Sequence, residues 1–256
     1  MSAYPEALPP GPIDQYDNQP PLTAVQRVLN IFYAPSKTFA DLRRNRSWLL
    51  AFVFMAVFGY LFTTTALTKV GPRGLAESSI RNNPTQAERY QNATPEGRVQ
   101  MVSIGASVTQ VFMWAWPVIV LLGAAVGALL LWVGFNFILG GSGTYPGMFA
   151  VMIFAYLPGI FRSLLSAAVL LFGETENFNL NDPIGTNPGF YMGSDSSVFL
   201  KTLLSSVDVF TLWTLILMAI GGAIVARVKV KNGVAMVLTV WLIFALGKAA
   251  VVAAMH

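Results

Sequence analysis

Three ionisable residues stand inside stretches that are otherwise apolar: Arg162, Asp208 and Lys248. A charge facing hydrocarbon at such a place costs about 2.5 to 3.5 kcal/mol on insertion scales, so each needs a partner, water or a route to the surface. One acid and two bases can form a structural pair or triad that fixes helix packing, or they can line a path for an ion or polar solute. For Lys248 a third arrangement is open, with its long side chain snorkelling from a lipid-facing position. Helical rise puts the three within roughly 6 Å of one another in depth, in the outer half of a bilayer. Asp208 and Lys248 fall on consecutive antiparallel spans, which makes an ion pair between them the most economical arrangement.

Other chemistry is scarce. The one histidine is His256 and cysteine is absent, which removes histidine relays, histidine-ligated metals, thiolate catalysis, iron–sulfur clusters and disulfides. No P-loop, dinucleotide fingerprint, GxSxG or HExxH run is present. Paired intramembrane aspartates are missing, so intramembrane proteolysis is not indicated. The stretch 174–182 alternates oxygen-bearing side chains in the manner of a Ca²⁺ loop, but it lacks the spacing and glycine of an EF-hand and reads equally as turn material. The expectation is a protein that is not an enzyme and has no cofactor or metal.

Composition sets the environment of these residues. Charged residues are 11% of 256, and counting glycine but not tyrosine about 61% are apolar, against about 25% and 45–50% in soluble domains. So few charges cannot build a water-soluble surface, and the chain reads as all-α and polytopic in a lipid bilayer. The formal charge of +4 bears on orientation and not on nucleic acid.

Residues 1–21 hold six prolines with Glu6, Asp14 and Asp17, a composition expected to stay disordered and unlike a signal peptide. Residues 22–47 read as two short amphipathic pieces. In the first, Val25, Leu29 and Phe32 form an apolar face, with Arg27 and Asn30 elsewhere, ending before Pro35. In the second, Ser36 is a candidate cap for a helix carrying Phe39 and Leu42 against Lys37, Arg43, Arg44 and Arg46. Both are expected flat in the headgroup region, with Arg27, Lys37, Arg43, Arg44 and Arg46 facing the lipid interface.

Residues 48–256 form the membrane domain, with spans expected at about 48–70, 104–139, 147–172, 202–226 and 234–254. Trp48 marks one interface of the first span and Lys69 the other. A polar segment, about 71–100, follows; Thr94-Pro95-Glu96 is an N-cap with proline at the first helical position, where helix resumes. No charge occurs for 63 positions between Arg98 and Arg162, and Gly140-Gly141-Ser142-Gly143 breaks that run once. The second span is kinked at Pro117; division there into two spans is the alternative, which leaves no loop. A polar loop occupies 173–201, and a basic turn with Arg227, Lys229, Lys231 and Asn232-Gly233 joins the last two spans. Five spans place the termini on opposite sides. Eight basic residues crowd the ends on the N-terminal side (Arg27, Lys37, Arg43, Arg44, Arg46, Arg227, Lys229, Lys231) against five on the other (Arg73, Arg81, Arg89, Arg98, Lys201), which orients the N-terminus to the cytoplasm and the C-terminus outside.

Small residues mark candidate packing faces: Gly123 and Gly127, offset by Ala124 and Ala128, and the row Ala245, Ala249, Ala253. These serve packing within the monomer or a homo-oligomer face.

A family pattern overlies these features. Ile31-Phe32-Tyr33-Ala34-Pro35-Ser36-Lys37-Thr38-Phe39, then Leu42 and Trp48-Leu49-Leu50, resembles the opening of bacterial Yip-domain proteins, the Ypt-interacting protein family. Ala155-Tyr156-Leu157-Pro158 is similar to that family's kink, at Pro158. Asp208-Val209-Phe210-Thr211-Leu212-Trp213, then Ile220-Gly221-Gly222 and Trp241, resembles its last two spans, and puts Trp213, Gly221 and Trp241 with Pro158 among the packing residues. The resemblance covers about 22–252 and implies five spans, a cytoplasmic N-terminus and the bacterial inner membrane, with no enzymatic residues. Eukaryotic relatives carry a cytoplasmic Asp-Leu-Tyr-Gly-Pro motif and are associated with Rab-type GTPases; that motif is absent here, so Rab binding is not implied. The leading expectation is a non-enzymatic protein that organises membrane or partner proteins, with the bilayer, a second copy or another membrane protein as partner. The alternative is a transporter or channel using Arg162, Asp208 and Lys248, against which stands the lack of a detectable inverted repeat.

Overall fold

The computed structural model describes residues 20–173, 175, 178–180, 182–193 and 196–254. The acidic tail residues, together with Glu174, Glu176, Asn177, Asn181, Asp195 and His256, lie outside the described residues. Helix α1 (Ala24–Tyr33) and α2 (Pro35–Arg44) precede α3 (Leu49–Lys69). Then come α4 (Gly71–Arg81), α5 (Pro84–Asn92) and α6 (Pro95–Val133), which runs on through a π-helical turn at Gly134–Ile138. Next are α7 (Tyr145–Ala155), α8 (Gly159–Phe172), α9 (Val198–Ser205), α10 (Val209–Ala226) and α11 (Val230–Ala254). Among the described residues there is no strand. Five helical segments are long and apolar enough to cross a membrane: Leu49–Lys69, Pro95–Ile138, Tyr145–Phe172, Val209–Ala226 and Val230–Ala254. The fold is an all-α polytopic bundle.

Helix α7 lies at the centre. Every residue from Gly147 to Ala155 except Phe149 is buried, as a helix apolar all round must be. It packs with α6 on one side and α10 and α2 on others. Tyr156-Leu157-Pro158 makes a tight turn between α7 and α8, with the Gly159 amide donating to the Tyr156 carbonyl at 2.9 Å. Pro158 opens α8, so the third span is broken where the chain can re-aim without losing backbone partners.

Helix α6 passes unbroken through Pro117, so one span, not two, occupies this run. Proline lacks the amide that would pair with the carbonyl four residues earlier. The Thr63 hydroxyl of α3 donates to that carbonyl, Met113, at 3.3 Å, and the Tyr60 hydroxyl donates to Trp114 at 3.2 Å. The Thr63 side chain of α3 thus replaces the donor that the proline takes away, and Tyr60 adds a second bond one residue on, which suits a lipid environment.

The boundaries differ from the sequence expectation in four places. The polar segment after α3 is helical: Leu75, Ala76 and Ile80 of α4 are buried, and Asn83 caps α5 by accepting from the Gln86 amide at 3.1 Å. The fourth span begins at Val209 and not near 202, because α9 is a separate short helix. The fifth begins at Val230, so Lys231 and Asn232-Gly233 belong to its first turns and the connection shrinks to Arg227–Lys229. Gly233 is there for close packing: a Cβ would lie 2.9 Å from the Ala219 carbonyl. Finally, α2 starts at Pro35, with Ala34 before it and no side-chain cap, so Ser36 lies inside the helix.

Candidate functional site

The charged residues gather at the two ends of the bundle. At one end, which we call the basic end, α1 and α2 form a hairpin. Thr23 and Gln26 make a reciprocal capping box, with the Gln26 amide donating to Thr23 Oγ1 at 3.2 Å and the Thr23 amide donating to Gln26 Oε1 at 2.9 Å. Arg27 Nε donates to Asp41 Oδ2 at 2.6 Å, and both residues are 2% exposed. Arg44 Nη2 and the Leu22 amide donate to Asp41 Oδ1 at 3.1 and 3.2 Å, and Arg27 Nη2 donates to the Leu22 carbonyl at 3.1 Å. Thr38 adds a hydroxyl bond to the Arg27 carbonyl at 3.1 Å.

Arg27 is therefore not a lipid-interface residue, as its place on the helical wheel suggested. It is the buried half of an ion pair that joins α1 to α2. The face of α1 turned inward is Arg27, Val28, Asn30 and Ile31, while Val25 and Leu29, expected on the apolar face laid against the bilayer, are over half exposed with Tyr33. The hairpin does not stand apart from the bundle: Val28, Ile31, Phe39 and Leu42 share one apolar core with α7 and α10. Of the remaining expected interface residues, Lys37, Arg44 and Arg46 are exposed and Arg43 is half-buried.

At the other end, the loop end, lie α4, α5, α9 and the described residues between 173 and 197. Asp208 is buried, but as the N-cap of α10 and not as a mid-span charge. Its Oδ1 accepts from the Phe210 and Thr211 amides at 2.9 and 3.2 Å, and Thr186 donates to its Oδ2. An ionised acid at a helix N-terminus is favoured by both the orphan amides and the helix dipole. Asp182 lies nearby. Burial pushes its carboxyl above the ordinary range and the charge of Asp208 adds to this, while the Asn187 hydrogen bond and the charges of Arg162 and Lys201 oppose it.

The structure thus brings two of the three expected intramembrane charges into one neighbourhood. Arg162, half-buried on α8, and Asp208 both act on Asp182. Lys248 does not join them: it is exposed on α11, and no ion pair connects it to Asp208. The reason is that Asp208 sits one residue before its helix, where backbone amides already satisfy the carboxylate. Of the stretch 174–182 only Thr175, Phe178, Asn179, Leu180 and Asp182 are described; Phe178 is buried against Leu75, and Ser78 donates to its carbonyl.

Residues 29–251 match the family model of the Yip1 domain. The chain belongs to the Yip1-domain family. No curated protein and no solved structure matches it. Like its family, this Yip1-domain protein is a non-enzymatic, multi-pass membrane protein. Its signature residues have visible work in the fold. A Cβ on Gly221 would lie 2.7 Å from both Phe39 and Val151, so the glycine lets the α1–α2 hairpin press against α10. Trp213 stacks on Phe161 with ring centroids 5.9 Å apart, and Phe32 meets both edge-on. Pro158 forms the turn of the third span, and Trp241 packs half-buried against the main core. The expected glycine pair divides: Gly127 faces Met152, whereas a Cβ on Gly123 would meet nothing within 4 Å. Ala124 and Ala128, both fully buried, form the close face instead. Asp41 was missed by sequence reasoning, although it is the one acid between Asp17 and Glu77, a position at which a carboxylate among arginines must have a specific use.

Proposed function

We propose that this Yip1-domain protein is a scaffold of the bacterial inner membrane, with its N-terminus inside and C-terminus outside, that organises lipid or partner proteins at the basic end. The observation that carries this reading is the double-sided α1. It commits Val28 and Ile31 to the bundle and turns Val25, Leu29 and Tyr33 outward, beside Lys37 and Arg46. An apolar stripe flanked by cations, held at a fixed angle by Arg27 and Asp41, is suited to an anionic membrane surface.

The absence of cysteine makes single-cysteine labelling direct. A spin label at Leu29→Cys, in bilayers with and without phosphatidylglycerol, should be accessible to oxygen and shielded from a water-soluble relaxant when the anionic lipid is present. A label open to water in both bilayers would sink the lipid part of the reading. For orientation, a membrane-impermeant maleimide should label Gly193→Cys and not Ser47→Cys in intact cells. Transport is the second reading, and nothing in the geometry favours it, since Lys248 faces outward and Asp208 is spent on capping. Solute flux through the reconstituted protein that is lost in Asp208→Asn would overturn the scaffold reading.

A further inference from the structure

Between α6 on one side and α3 with α8 on the other lie two cavities, of about 480 and 360 Å³. Trp116 and Ser163 line both, so they are the halves of one cleft with the indole between them. The upper half reaches Ser79 and Thr109 at the loop end, and the lower half descends to Gly123. From Thr109 to Gly123 the cleft follows about 21 Å of α6 by helical rise. Trp116 marks a middle depth, because it lies against Gly59, where a Cβ would have no room, and Gly59 is the midpoint of α3.

Two features show that the chain does not fill this cleft itself. A Cβ added to Gly123 or to Gly159, both of which line the lower half, would meet nothing within 4 Å. Glycine in a helix interior, as at Gly123, is a poorer helix former than alanine, and here no close approach of another helix compensates. The second feature is the partition. Trp116 Nε1 is buried and has no acceptor among the described residues, so the indole can turn aside without giving up a hydrogen bond.

We infer that the cleft binds one acyl chain of a membrane phospholipid, which enters at the loop end and passes Trp116 to reach Gly123. The rim carries the exposed side chains of Val108, Phe112 and Ile119 within a membrane span, so the cleft opens to hydrocarbon and not to water. One leaflet supplies about 15 Å of hydrocarbon, half of a core of about 30 Å, which is the depth of the upper half; the lower half takes the end of the chain. Hydroxyls of Ser79 and Thr109 stand at the top, where a lipid ester lies, and Met55, Val120 and Ile160 stand at the bottom. A partner helix, about 10 Å across, is too wide for cavities of this volume. No residue of α1 or α2 lines either half, so the site holds whether or not the basic end meets lipid.

The test uses the full chain in neutral detergent, given dioleoyl phosphatidylcholine and weighed by native mass spectrometry. This lipid has no net charge, so the basic end contributes little to its capture. The parent should keep one phospholipid per chain. Gly123→Leu fills the lower half and should abolish that retention, while its melting temperature holds or rises, since the side chain enters open space and a better helix former replaces glycine. Gly123→Ala leaves most of the space and should keep the lipid. In vesicles, phosphatidylcholine brominated at mid-chain should quench the part of the emission that Trp116→Phe removes; this measurement decides the matter should Gly123→Leu melt below the parent. No lipid kept by the parent, retention unchanged in a stable Gly123→Leu, or Trp116 emission untouched by bromine each overturns the site.

Discussion

At the basic end lie Lys37, Arg43, Arg44, Arg46, Arg227, Lys229 and Lys231, and among the described residues the one acid there is Asp41, buried and held by both Arg27 and Arg44. At the loop end Asp182 lies in the fields of Arg162, Lys201 and Asp208. Connection length explains much of the contrast. The basic end is closed by the short segments 45–48, 139–144 and 227–229, which hold arginines apart on separate helix ends. The loop end has the longer connections 70–94 and 173–208, whose described residues bring Asp182 into the fields of Arg162, Lys201 and Asp208. One end gathers both signs around Asp182; at the other, basic residues outnumber the single described acid.

The sharpest way to break the comparison is at Asp41. Asp41→Ala strands Arg27 inside the bundle, and an uncompensated buried charge costs about 3 to 5 kcal/mol. Melting of the purified protein should drop accordingly, and Arg27→Met combined with Asp41→Leu should recover most of the loss. Full stability in the single variant would show that the hairpin is not held by this pair. Gly221→Leu comes next: it drives a side chain into Phe39 and Val151, an overpacking worth about 1 to 3 kcal/mol. Limited proteolysis should then cut between α2 and α3 before the rest of the bundle.

At the loop end the effects are smaller. Asp208→Ala removes an N-cap and should cost about 0.5 to 2 kcal/mol, whereas Asp208→Asn, an equally good cap, should cost less. Lys248→Met should stay within about 0.5 kcal/mol of the parent. Equal losses for Asp208→Ala and Lys248→Met, restored in the double variant, would reinstate an ion pair between them. The smallest effect is one of pH. Burial raises the Asp182 carboxyl in the folded state, so its contribution is fully present below the unfolded value and fades as pH rises through the folded one. Thermal melts from about pH 4 to about pH 7 should show stability falling with pH in this window, and Asp182→Asn should flatten that dependence. An unchanged slope in the variant would place the titration elsewhere.

How much of this was legible beforehand follows from what the signals measure. Hydropathy located the five spans because bilayer thickness sets their length, and the cap at Thr94 with Pro95 marked the start of α6 to the residue. The glycine turn at 140–143 was legible for the same local reason. Partnership was not. Hydrophobic periodicity gave α1 an apolar face but could not say that Arg27 would turn inward, since that depends on a carboxylate 14 residues away on another helix. Asp208 was expected inside its span and not at its start because an aspartate preceding an apolar run is both a span residue by hydropathy and an N-cap by type, and capping won. The Thr23–Gln26 box and the α4 spacing of Leu75, Ala76 and Ile80 were present in the sequence as local signals and identify those helices without tertiary information.

The segment Pro95–Ile138 has 44 residues, about 66 Å of helix against about 30 Å of hydrocarbon. Pro117 lies near its middle, about 33 Å from Pro95 by helical rise. Each degree of bend there displaces the far tip by about 0.6 Å. Thr63 and Tyr60 grip the helix just before that fulcrum, and α4 rides on the same N-terminal arm, where Gly105 faces Ala76. The first span therefore holds the pivot of a lever whose load is α4 and α5.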